Sequence, residues 1–487
     1  MSNVSRRTFL QGMLTALATA GCSAVIDQQT QPGLPDALQP PSGTSRHPIA
    51  HLLNRATFGP RPGQIEAVSA QGREAWIDRQ LDYESIDTTS VDLRLRRYDT
   101  LNMYPRDLLG FFGETNRQYV RDELAVATLV RAIYSEQQLY EVMVNFWPDH
   151  FSIHHYKENT AVLKTIDDRQ VIRPHALGSF GDLLRASAQS PAMLIYLDNV
   201  RNTADTLNEN YAREIMELHT LGVDNGYTEA DIPEVAKCFT GWTVNSRGEF
   251  TFIPEAHATG EKYVLGEIIR SDDPMAEGER VLEILINHPN TANYISRKLV
   301  RRFIADDPPE SIVSACVQTW TTTQGNIREI VRTILTHPEF DSAPLKLKRP
   351  FELVTSLLRV TNASYSGNRG LINRLENMGH RPFGWATPDG YPDTAVEWTG
   401  NMLDRWNLCL DAFTDNLPGV GINLDDLQNN AGSTETRSII RFFGRLFLKQ
   451  DLNANDETEL LNFMNVADDN LRTTLGLLAA SPAFQWR

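Results

Sequence analysis

Three stretches of this chain carry side chains able to move protons or hold a metal. The first is Asn208-Glu209-Asn210-Tyr211-Ala212-Arg213-Glu214-Ile215-Met216-Glu217-Leu218-His219, whose apolar spacing is that of an amphipathic helix. At about 100° per residue, Tyr211, Ile215 and Leu218 form the buried stripe, and Glu214 and His219 fall roughly 70° to either side of it. Glu209, Arg213 and Glu217 face away as an i, i+4 ladder. A solvated ladder with a boundary glutamate accounts for much of this pattern. Yet a carboxyl beside an apolar stripe needs an arginine, a metal ion or a proton, because an unpaired buried carboxylate is costly.

The second stretch is Asn145-Phe146-Trp147-Pro148-Asp149-His150-Phe151-Ser152-Ile153-His154-His155. His150 and His154 have the spacing by which two imidazoles on a helix share one metal. Phe151 occupies the place of the glutamate in a zinc-protease HExxH motif, and Pro148 argues against a regular helix. That leaves His150 either as one member of a ligand set completed from elsewhere or as a hydrogen-bonded structural residue. The third is His257, at the expected tip of a hairpin, where loops commonly present a base or a ligand. Asp149 with Glu214 or Glu217 would be a further acid–base pair. No P-loop, dinucleotide glycine fingerprint, G-x-S-x-G elbow or CxxCH motif occurs in the sequence.

The elements that must position these residues read as mainly α: a multi-helical globular domain with one small β-hairpin insertion. Helical periodicity marks 47–56, 64–70, 73–81, 120–134, 138–147, 173–187, 208–221 and 229–239. It resumes at 278–286, 293–303, 312–321, 327–336, 351–361, 370–378, 438–448 and 471–480. Ser135 with Gln138, and Thr228 with Asp231, have capping-box spacing. The strand-like region is 248–266, with Phe250-Thr251-Phe252-Ile253 and Tyr263-Val264-Leu265 expected to pair across a long loop. Residues 384–393 read as an irregular connector.

The amino terminus carries an address. Ser5-Arg6-Arg7-Thr8-Phe9-Leu10 is a twin-arginine signal followed by an apolar run to Ala20, too short to span a hydrocarbon core of about 30 Å. Thr19-Ala20-Gly21-Cys22 has the form of a lipoprotein cleavage box, with Cys22 as the lipidated residue. Residues 1–22 are thus read as signal peptide, 23–46 as a Pro/Gln-rich tether and 47–487 as a single large helical domain. The location implied is the periplasm or cell envelope. Ser23 carries no retention charge, which favours an outer-membrane anchor through Cys22. The net charge of −16 disfavours nucleic acid and anionic lipid as partners, leaving the lipid anchor as the membrane contact. Cys238, Cys316 and Cys409 are widely spaced and odd in number, which suits small buried residues better than a disulfide framework.

These stretches also carry a resemblance. His51-Leu52-Leu53-Asn54-Arg55-Ala56-Thr57-Phe58-Gly59, Phe146-Trp147 with His150-Phe151, and Pro191-Ala192-Met193-Leu194 with Tyr196-Leu197-Asp198-Asn199 belong to one pattern. So do Asn208 through Glu214, Glu217-Leu218, Thr220-Leu221-Gly222-Val223, Tyr227-Thr228-Glu229, Thr240-Gly241-Trp242, and His257 with Gly260 and Lys262. The chain resembles the bacterial family catalogued as domain of unknown function 1800. Pro148 and Asp149 depart from that family's pattern, and His154 and His155 are particular to this chain. His380 stands where the pattern has a glutamine.

The resemblance implies a helical, exported protein, and a companion exported sulfatase-like protein encoded nearby. It also raises His150, Glu214 and His257 together as positions that could converge on one pocket. Such a set would suit a divalent metal, zinc or iron, with Glu214 and His257 as catalytic groups. The leading expectation is an envelope enzyme, metal-dependent and hydrolytic or oxidative, acting on an extracellular or cell-wall substrate after passage through the twin-arginine export machinery. The alternative is a non-catalytic lipoprotein that binds the sulfatase-like companion, its polar motifs being helix-to-helix hydrogen bonds.

Overall fold

The computed structural model describes residues 34, 38–41, 47–270, 272–452, 454–466 and 470–487; Arg6, Arg7 and Cys22 lie outside them. The chain is mainly α, with small two-stranded antiparallel sheets. It divides into two compact units. Among the described residues, one comprises those up to 73 with those of 343–380 and 393–487; the other comprises those of 74–342 and 381–392.

The first unit is built around the Pro350–Val360 helix, every residue of which is buried. Such a helix must satisfy its polar groups internally. Glu352 accepts the Arg349 backbone N–H at 2.9 Å, and Arg359 Nε donates to the Gly59 carbonyl at 2.6 Å. Gly59 has φ +100°, and a Cβ there would meet Ser356 Cβ at 2.8 Å, so this close approach needs glycine. Arg405, fully buried on the Met402–Phe413 helix, donates to Gln485 and to the Lys348 carbonyl. His380 accepts the Phe351 backbone N–H at 3.3 Å.

The second unit holds the polar motifs. Its Glu114–Tyr134 helix is longer than the periodic stretch that predicts it, and the Gln138–His150 helix runs through Pro148 instead of breaking there. Pro148 falls in the last turn, where one lost backbone bond is tolerable. The helix ends at His150, so His150 and His154 do not share a helical face. Ser135 accepts the Gln137 backbone N–H, while Gln138 donates back to the Ser135 and Ala132 carbonyls. Asp231 accepts the Thr228 backbone N–H and hydroxyl at 2.8 and 2.7 Å, but the N-cap of the Asp231–Cys238 helix is Ala230, which makes no side-chain cap bond.

The strand-like region forms two local hairpins, not one wide one. Trp242–Val244 pairs with Phe250–Phe252, and Lys262–Val264 with Glu267–Ile269. Leu265 and Gly266 both take positive φ (50° and 81°), the pattern of a tight two-residue turn that closes the second hairpin on itself. Cys238, Cys316 and Cys409 are free and buried.

Candidate functional site

Glu214 sits on the Asn210–Glu217 helix, whose buried side is Tyr211, Ala212, Ile215 and Met216. Its neighbours on the outer face are all engaged. Arg213 forms a bidentate pair with Glu229 at 3.0 Å and reaches Glu217 at 3.2 Å, while Glu217 also accepts the Tyr227 hydroxyl at 2.8 Å. Glu214 is half-buried, and its carboxyl has neither an ion-pair nor a hydrogen-bond partner among the described residues. Burial is the main reason its pKa rises to about 7; the charges of Glu217 and Asp389 push the same way, and Arg213 opposes them. The helix therefore presents a carboxyl that exchanges its proton near neutrality.

Asp389 comes from the 381–392 segment, which reads as a connector in the sequence but is tied firmly into this unit. Tyr196 donates its hydroxyl to the Ala386 carbonyl at 3.0 Å, and Ser152 donates to the Thr387 carbonyl at 3.1 Å. Gly390 has φ +74°, and a Cβ there would overlap the Asp149 backbone. Only glycine lets the segment lie so close to the end of the Gln138–His150 helix. Asp389 accepts hydrogen bonds from Trp385 Nε1, at 2.9 Å, and from Thr387, which fix its direction. The Trp385 ring packs 5.0 Å from Tyr391. Besides Glu217, the carboxylate that acts on Glu214 is Asp389, where the sequence suggested Asp149. Burial first, then the charges of Glu214 and Asp389, raise the Tyr196 phenol. Burial and Asp389 push Tyr294 up to about 12 against the opposing charge of Arg301.

Beneath this cluster lies His150. Its Nε2 donates to the His219 carbonyl at 3.1 Å, and the His219 backbone N–H donates to the Glu214 carbonyl at 3.1 Å. His150 is thus joined to the Glu214 helix through backbone, not through a shared ligand. Its ring is fully enclosed by Trp147, Phe151, Phe180 and Tyr294. Burial, then Lys298 and His219, hold its pKa well below the ordinary histidine value. His219 is pushed down to about 3 by burial and Lys298. Both imidazoles are neutral packing groups in this setting.

His257 belongs to a different cluster. It is 6% exposed, not displayed on a loop tip. Nδ1 meets the Thr240 carbonyl at 2.9 Å and Nε2 meets Glu277 at 3.0 Å. Lys262 pairs with Glu277 and donates to the Ala258 carbonyl at 2.6 Å. Both ring nitrogens are occupied, and the group fastens the hairpin region to the Pro274–Asn287 helix. Among the described residues no group of three or more His, Cys, Asp or Glu side chains is arranged to hold a metal. The expected trio is therefore split: His150 and Glu214 share one neighbourhood, and His257 stands apart with its own partners.

Sequence reasoning missed Asp389, Tyr196 and Tyr294. Tyr196 lies within a motif that resemblance had marked, but Asp389 is in an irregular stretch without periodicity; Gly390 beside it was the available hint of a close backbone approach.

The architecture is that of a mainly helical globular protein whose polar motifs gather in one of two compact units. The family described as protein of unknown function (DUF1800) matches residues 51–486, and the chain belongs to that family. No curated protein and no solved structure matches it.

Proposed function

We propose that this protein is an exported envelope hydrolase that uses Glu214 as a general acid and Asp389 as the second carboxylate, acting on a glycan of the cell wall or extracellular matrix. The observation that carries the reading is the half-buried, unpartnered Glu214 carboxyl with a pKa near 7. A group with that pKa holds its proton at the start of a reaction and can give it to a leaving-group oxygen. Hydrolysis of a glycosidic bond needs one such acid, and a second carboxylate that either takes a proton from the attacking water or attacks the sugar carbon itself. Asp389, aimed by Trp385 and Thr387, fits the second role, and the partly exposed Trp385 ring, backed by the buried Tyr391, offers aromatic surface for a sugar face. The Arg6-Arg7 leader and the Cys22 box support export and lipid anchoring.

The test is release of reducing ends from purified sacculi and from neutral polysaccharide by the full chain, beside Glu214→Gln and Asp389→Asn. Release by the wild type alone is the expected result. Equal release by Glu214→Gln, or none by the wild type between pH 5 and 8, would overturn the reading. A second reading, a non-catalytic partner of a companion exported sulfatase-like protein, is favoured by the His257–Glu277–Lys262 cluster, which is the buried polar contact such a scaffold would use. Co-purification of that companion with unchanged recovery in Glu214→Gln would favour it.

A further inference from the structure

The first unit contains a cavity of about 60 Å³ whose lining includes the imidazoles of His47 and His51, the Phe484 ring and three cationic side chains, Lys348, Lys449 and Arg487. A space of that size holds roughly four waters, enough for a ligand of a few heavy atoms. Lys348 is 4% exposed, and its Nζ lies 3.5 Å over the Phe484 ring without a hydrogen-bond partner among the described residues. Lys449 donates to the Leu446 carbonyl. Arg487 is held by Glu352 at 3.0 Å and by the Asn54 carbonyl at 3.2 Å.

The charge around Lys348 is one-sided. Lys449 and Arg487 face it with Glu352 and Cys409, and Glu352 is already shared between Arg487 and Arg349, at 3.0 and 3.5 Å. Burial first, then Lys449 and Arg487, hold the Lys348 amine well below its ordinary pKa. Burial lowers Lys449 in the same direction, against the charge of Glu66. A buried amine with so little counter-charge is stabilised by an anion that restores it.

We propose that this cavity binds a small oxyanion, a carboxylate or phosphate group, between Lys348 and Lys449, with Arg487 at its side. The bound anion favours the protonated amines, so binding takes up protons and tightens as pH falls.

Calorimetric titration of the full chain with inorganic phosphate, and separately with acetate, in two buffers of different ionisation heat tests this and tells the two ligand sources apart. The expected result is saturable one-to-one binding of one anion, with a buffer-dependent heat, weakened about tenfold or more in Lys348→Met. Should that variant not fold, acetylation of Lys348 in the unaltered chain serves instead, and the anion is expected to slow it. Absence of saturable binding for both anions at millimolar concentration, undiminished binding in a folded Lys348→Met, or acetylation unaffected by either anion would each overturn the proposal.

Discussion

The Glu214 region and the His257 region carry the same kind of signal in the sequence: a titratable side chain inside a polar motif on an otherwise apolar background. In the folded chain they become opposites. His257 has an acceptor at each ring nitrogen, and its partner Glu277 is also paired with Lys262. Glu214 has no hydrogen-bond or ion-pair partner among the described residues, and the charge of a second carboxylate, Asp389, acts on it. A polar group whose bonds are all made holds elements together, whereas a polar group left open at a partly accessible face keeps its proton available. The difference lies in partners, not in residue type.

The comparison can be broken most decisively at Glu214 itself. Glu214→Gln keeps the shape and removes the proton donor, so activity should fall about 10²–10⁴-fold while the melting temperature does not fall; parallel assay and thermal melts check this. Glu277→Ala should do the reverse. It leaves Lys262 buried without its carboxylate, at a cost of about 3–5 kcal/mol in urea unfolding, and activity should be lost only as far as folding is.

The pH dependence sharpens the contrast. A general acid must be protonated, so the rate should fall about tenfold per pH unit above a pKa of about 7. An initial-rate profile from pH 5 to 9 measures it, and a flat alkaline limb would contradict the role of Glu214.

The smallest effect is on stability. The folded pKa of Glu214 lies above its unfolded value of about 4.5, so the folded state holds the extra proton between pH 4.5 and 7 and stability declines as pH rises through that window. Glu214→Gln should therefore be more stable than the wild type above pH 7, and the gain should vanish below pH 4.5. Discounted for solvent screening at a half-buried site, the gain is about 1 kcal/mol. Chemical denaturation at pH 4 and pH 8 tests the sign.

Much of the fold was legible because helical periodicity depends on nearest turns alone. The predicted stretches 64–70, 327–336 and 370–378 appear as Gln64–Gln71, Ile327–Thr336 and Gly370–Asn377. Strand pairing was less legible, because the same apolar triplets can pair with several neighbours. The positive φ at Leu265 and Gly266 selects the local hairpin, and leucine does not announce that conformation. At the candidate site, Glu214 was visible from its angle to the apolar stripe. Asp389 was not, since it reaches the site through contacts of the 381–392 segment with Tyr196 and Ser152, far away in sequence. Lys348 likewise reads as an ordinary basic residue until the surrounding unit closes over it.

The sequence by itself determined the helical class, the family, and the residues rich enough in chemistry to matter, because periodicity and motif identity are local properties of the chain. The tertiary structure alone decided which of those residues are satisfied and which are open. Hydrogen-bond partners, burial and neighbouring charge come from segments distant in the chain, and they set His257 as a fastening and leave the Glu214 carboxyl with a raised pKa.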